Sequence, residues 1–274
     1  MLASAFSSAL GNILVAVLVL AGLAIYLTLI RQISVRRSTT AIATDATPLK
    51  TFGLPEAFLA AALILFLLLN ITAAVGRSPI QLNDRDLVAN FLFTLFVVFF
   101  IAAFLKLRGF DIDALGGFSK ASLKRAVSIG VILLLAAAPL IGLAEVVTQS
   151  LLGGGSSKQE IVDLFNSSRT IQQRVMIIVL AVIVAPISEE FIFRFFIYGV
   201  LRRYFGIAVG LFFNAMLFAA AHTHLPSAAP LFVLGACFTL AYEWSGSILV
   251  SMAMHSLFNS TQLVFLAFPE LVQQ

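Results

Sequence analysis

The sequence predicts an all-α fold, a polytopic membrane bundle of about eight transmembrane helices enclosing a polar cavity. Three observations carry that prediction. Hydrophobic residues make up 61% of the 274 positions and charged residues only 11%, against about a quarter charged in an average soluble domain. Apolar runs of bilayer-crossing length, about 20 residues, recur along the whole chain and leave no room for a large soluble domain. Within those runs sit a few ionisable side chains, each costing about 2.5–3.5 kcal/mol to insert, and such groups must pair or face a wet interior.

The spans expected from the apolar runs are 9–30, 56–76, 87–106, 126–147, 172–201, 207–223, 228–243 and 247–267. The stretch MLASAFSSALGN lacks the basic n-region of a cleavable signal, so 9–30 reads as a retained first helix. The whole of 1–274 reads as one integral membrane domain, in which 1–125 carries no recognised motif. Connections 31–54 and 107–125 carry Arg31, Arg36, Arg37 and Lys50, then Arg108, Lys120, Lys124 and Arg125, and Arg202 and Arg203 follow the fifth span. With eight spans these segments share one side, which the Lys/Arg bias makes cytoplasmic, with both termini outside. The same bias accounts for the net charge of +4, so no nucleic-acid partner is needed. The longest polar break, GGGSSKQEIVDLFNSS (153–168), reads as a flexible turn and a short interfacial helix, Ser157 and Glu160 having capping-box spacing. The single cysteine, Cys237, excludes a disulfide framework and reads as a small packing residue.

The informative stretch is APISEEFIFRFF, residues 185–196, in the middle of the fifth span. Residues four apart share a helix face, so Glu190 and Arg194 are placed to form an ion pair. Glu189, rotated about 100° away, is left free and is the better candidate for a general base. Pro186 lacks an N–H and is expected to interrupt the helical ladder beside the pair. Downstream, His222 ends the sixth span with Phe218 on its face, and His255 shares a face with Asn259 in the last span. His224, two residues beyond His222, reads as a surface residue. A carboxylate and an imidazole can hold and deprotonate a water, and a second imidazole and an amide can donate to an oxyanion. These residue types suffice for peptide hydrolysis without a nucleophilic side chain.

The motifs EEFIFR (189–194), FAAAH (218–222) and HSLFN (255–259) fit the patterns EExxxR, FxxxH and HxxxN, in that order on successive spans. They resemble the CPBP family, the CAAX proteases and bacteriocin-processing enzymes also called the Abi family, over 126–267. The resemblance implies a bundle of about eight helices around a conical, water-accessible cavity, without a metal cofactor. It also implies Glu189 as general base acting with His222, His255 and Asn259 as oxyanion hole, and Glu190 and Arg194 as supporting residues. The expected setting is the plasma membrane of a prokaryote, the bilayer being one partner and a peptide or membrane protein, prenylated or not, the substrate. Two other readings remain open. Glu189, His222 and His255 could be zinc ligands of a metalloprotease, or the polar residues could line the cavity of a non-catalytic immunity or transporter-like protein. A mechanism through Cys237 is disfavoured by its apolar surroundings.

Overall fold

A computed structural model describes residues 2–40, 50–74, 84–152, 170–268 and 270. The segment 153–168, with its expected interfacial helix, lies outside them. The described residues form a helical bundle: α1 (Leu2–Thr40), α2 (Leu54–Ala74), α3 (Asp84–Leu107), the short α4 (Ile112–Gly116) and α5 (Leu123–Leu152). A continuous apolar run, Ile171–Ala221, follows, then α8 (Ala228–Ser245) and α9 (Ile248–Ala267). Seven of these helices are long and apolar enough to cross a membrane.

The run Ile171–Ala221 contains two of the expected spans. At Gly206, φ 80° and ψ 175° leave the helical region for a conformation that is essentially restricted to glycine. The chain folds back there, since a Cβ on Gly210 would lie 2.9 Å from the backbone N of Arg202, whereas eight residues along a straight helix would separate them by about 12 Å. We therefore call 171–205 α6 and 207–221 α7. With this hairpin split in two, the described residues hold a long helix for each of the eight apolar runs read from the sequence. The connection 107–125 is more ordered than a plain loop: Asp111 caps α4 through the Ala114 N–H, and Gly117 ends it in the left-handed region.

Burial follows from the solvent. Leu18, Phe58, Phe99 and Leu135 point outward, as they can where the surroundings are lipid. The centre is aromatic: Phe195, Phe196, Tyr198, Phe218 and Phe238 are at most 2% exposed. Small residues let helices close in on this core. A Cβ on Gly130 of α5 would lie 3.1 Å from the backbone N of Met254 in α9, so α5 presses against the turn that carries His255.

One end of the bundle carries the basic segments. Four Lys and Arg lie in 31–50, five in 106–125, and Arg202 and Arg203 at the α6–α7 hairpin. Polar side chains knit this end together. Arg36 donates to the Trp244 carbonyl, Trp244 donates to Gln32, Arg108 pairs with Glu56, and the Tyr242 hydroxyl donates to the Leu115 carbonyl. The opposite end contains the α7–α8 turn, residues 222–227, the start of α6 and the finish of α9.

Candidate active site

The site begins with α6, which is not a uniform α-helix. Two stretches, Leu180–Val184 and Phe191–Ile197, are wound as π-helix with i→i−5 bonds, and Ala185–Glu190 between them is α-helical. Backbone angles stay helical at the cap positions around Pro186, so the proline does not break the helix as expected. Its effect is confined to one hydrogen bond. Ala185 donates to Leu180 five residues back; the next bond in that register would run from residue 186 to the Ala181 carbonyl, and proline has no N–H to make it. The amide Nδ2 of Asn259 donates to that carbonyl instead, at 2.7 Å.

Asn259 therefore spends one amide hydrogen on the helix and keeps a second N–H. Replacing it with alanine is expected to leave a part-buried acceptor unpaired and to destabilise the protein by about 1–3 kcal/mol. Adding Pro186→Ala returns an N–H in register with the Ala181 carbonyl, so the double variant should regain thermal stability in detergent. It should not regain activity if the second Asn259 N–H contributes to catalysis. Unfolding temperatures and cleavage rates of the two variants separate these roles.

The glutamates and arginine occupy two environments. Glu190 and Arg194 are fully buried, and Arg194 Nη1 lies 2.9 Å from Glu190 Oε1, as the spacing predicts. The contact is one of charges rather than a directed hydrogen bond, for this Nη1 makes none. The guanidinium is caged by aromatic rings: its Cζ lies 4.1 Å from the centroid of Phe218 and 5.1 Å from that of Phe238, a cation–π arrangement that is stronger away from water. Nη2 makes a long bond, 3.4 Å, to the Gly235 carbonyl, which also accepts from Thr239. Glu189 is partly exposed, and its Oε2 has no hydrogen-bond partner.

Each histidine uses Nδ1 to anchor its ring. His222 Nδ1 lies 2.8 Å from the Phe218 carbonyl; a carbonyl only accepts, so Nδ1 carries the hydrogen and Nε2 is left as an acceptor. His255 Nδ1 lies 2.9 Å from Glu190 Oε1, a partner the spacing did not suggest. Its Nε2 lies 3.9 Å from Glu189 Oε2, beyond hydrogen-bond range. The ring is stacked on Phe238 at 4.8 Å. Phe218 thus serves three neighbours, holding His222 by its carbonyl and facing Arg194 and His255 with its ring.

Glu189, His222, His255 and Asn259 line one cavity of about 410 Å³ near the end of the bundle opposite the basic segments. Counting residues along straight helices places Glu189 about 20 Å and His255 about 12 Å from that basic side, a mismatch that the structure closes. The π turns of α6 contribute, since wider turns advance less per residue. Glu190 and Arg194 stand behind the cavity wall. Other residues that the sequence did not assign to the site also line it, His224 and Asn90 among them. His224, read as a surface residue, is half-buried with Nδ1 2.9 Å from Ser227 Oγ, because the turn folds back over the mouth. Asn90 reaches the cavity from α3, one of the helices without a motif. A second cavity of about 600 Å³, mostly apolar and including Ile71, Met216 and Phe232, shares Thr223 and His224 with the first. Among the described residues, no three His, Cys, Asp or Glu side chains converge closely enough to hold a metal ion. Cys237 is buried and unpaired, as a packing residue should be.

Residues 171–261 match the family model of the type II CAAX prenyl endopeptidases, Rce1-like. A curated relative, the membrane-embedded CAAX protease MroQ of Staphylococcus aureus (strain USA300), is 29% identical over 89 residues, which are 30% of this chain and 36% of the relative. The chain thus spans about a third of the relative it matches. No solved structure matches it.

Proposed function

We propose, from the match of residues 171–261 to the type II CAAX prenyl endopeptidase family model and the likeness to a membrane-embedded CAAX protease, that this multi-pass membrane protein is an endopeptidase that cuts a peptide bond inside the bundle with a glutamate-activated water. The observation that carries this reading is the convergence of Glu189, His222, His255 and Asn259 on one cavity within an apolar bundle.

In this mechanism Glu189 takes a proton from water as the water attacks the scissile carbonyl, and gives it to the amine nitrogen when the C–N bond of the tetrahedral intermediate breaks. His222, with Nε2 free to accept, helps to orient that water. Negative charge then develops on the carbonyl oxygen, and donors already in place stabilise it. The second Asn259 N–H is one. His255 Nε2 is the other when the ring is an imidazolium, since Nδ1–H is committed to Glu190. In that form two carboxylates face two cations, and the buried cluster is neutral. The mostly apolar second cavity offers room for the side chains of a membrane-associated peptide, prenylated or not. The relative from a staphylococcus supports a prokaryotic plasma membrane as its location.

A zinc enzyme built from Glu189, His222 and His255 is the competing reading. His222 Nδ1 is engaged with its own helix, and Glu190 is the partner of His255 Nδ1, so only the Nε2 atoms could reach a metal. We expect purified protein to retain full cleavage activity after exhaustive chelation, with metal content checked by elemental analysis. Loss of activity that returns on adding zinc would establish the competing reading. A non-catalytic cavity protein predicts no cleavage at all.

A further inference from the structure

We propose that the basic end of the bundle holds a site for a phosphate group, of the kind that an anionic phospholipid headgroup presents. The proposal is independent of the peptidase reading. A cavity of about 450 Å³ opens there, lined by Arg37 of α1, Lys50, Lys120, and Arg202 and Arg203 of the α6–α7 hairpin. Among the described lining residues, Glu243 is the one carboxylate. Its Oε2 already accepts from the Tyr198 hydroxyl at 2.9 Å and from Arg202 at 2.7 Å.

Other carboxylates at this end lie outside the cavity lining and are held by their own partners. Glu56 pairs with Arg108 and accepts from the Gly53 N–H, Asp111 accepts from Ala114 N–H, and Asp113 accepts from Ser119 N–H. Lys50 is positioned by uncharged groups, the Arg108 carbonyl and the Phe110 ring, which locate its charge without cancelling it. Among the described residues, no carboxylate forms an ion pair with Arg37, Lys120 or Arg203. Several cations around one cavity repel one another. An anion with several oxygens relieves that repulsion, and guanidinium forks match the geometry of phosphate.

The wall is preassembled. Gly117 and Gly246 both have positive φ, and a Cβ on Gly117 would collide with the Gly246 carbonyl oxygen, so these two turns abut. The Tyr242 hydroxyl ties the same wall to the Leu115 carbonyl. Location favours a lipid as the source. The cavity lies at the ends of membrane helices, on the side that the Lys/Arg bias makes cytoplasmic, and that leaflet carries the anionic lipids that attract basic segments. Phe195, Tyr198 and Gly199 form part of the lining and continue the helix from Arg194, so a bound headgroup would brace α6 below the catalytic cluster.

The test uses full-length protein in nanodiscs of phosphatidylcholine with or without phosphatidylglycerol. Bound lipid is counted by native mass spectrometry after release into detergent, and thermal stability is measured alongside. Wild type should retain phosphatidylglycerol that the variant Arg37→Gln/Lys120→Gln/Arg203→Gln loses, with affinity falling about a hundredfold at roughly fivefold per charge. A control variant, Lys106→Gln/Lys124→Gln/Arg125→Gln, removes three charges at the same end outside the cavity and should retain the lipid. If the triple variant does not fold, Lys120→Gln and Arg203→Gln are tested singly, each with a fivefold loss expected. A parallel arm adds inorganic phosphate or glycerol phosphate to protein in phosphatidylcholine. Stabilisation of wild type but not of the cavity variant in that arm would keep the site and make its ligand soluble. Equal lipid retention by wild type, cavity variant and control, with no response to soluble phosphate, would overturn the proposal.

Discussion

Glu189→Gln should abolish cleavage while leaving the fold unchanged. The amide keeps the shape of the carboxylate but cannot take a proton, and a lost general base typically costs a factor of about 10²–10⁴ in rate. Glu189 makes no hydrogen bond through Oε2 and faces the cavity, so its thermal unfolding should match that of wild type. Comparing the membrane peptidome of cells carrying either form would reveal the substrate as a product seen only with wild type. An unchanged peptidome and unchanged cleavage by the purified variant would remove Glu189 from the chemistry.

The largest loss of stability should come from Arg194. Arg194→Met removes the cation and leaves Glu190 fully buried with its charge uncompensated, a change that costs about 3–5 kcal/mol. The double variant Glu190→Gln/Arg194→Met removes both charges and should recover most of that loss. Its glutamine oxygen can still accept from His255 Nδ1, but no carboxylate then stabilises an imidazolium. We therefore expect unfolding temperature to return without activity, measured on the same detergent-solubilised samples. If the double variant unfolds as early as the single one, the aromatic cage around Arg194 matters more than its charge.

The sequence revealed those features of the site that depend on local periodicity. Glu190 and Arg194 are four residues apart, and helical spacing alone pairs them. The hydrophobic runs marked all eight long helices, including the two that meet at Gly206. Contacts made across helices had no such signal. That Glu190 would also receive His255 Nδ1, 65 residues later, depends on how α6 and α9 pack. The bond from Asn259 to the Ala181 carbonyl required both Pro186 and the π register, and nothing in the sequence announces a π turn. A polar turn between two spans suggests the surface, whereas His224 is half-buried because this turn lines both cavities. The start of α6 carries a local signal of its own: Thr170 and Gln173 form a capping box, three residues apart as the pattern requires.

The position of the cavity lined by Glu189, at the opposite end from the basic segments, has a consequence for where a substrate would come from. If the basic end is cytoplasmic, as the charge bias requires, the mouth beside Thr223 faces the other compartment. Because Cys237 is the single native cysteine and is buried, a Cys237→Ser background permits a direct check. A cysteine at Thr223 should react in intact cells with a membrane-impermeant maleimide, and one at Ser119 should not; the reverse pattern would invert the topology. If the protein cleaves peptides as proposed, this orientation puts the cut bond on the non-cytoplasmic side, within reach of chains that have already been exported.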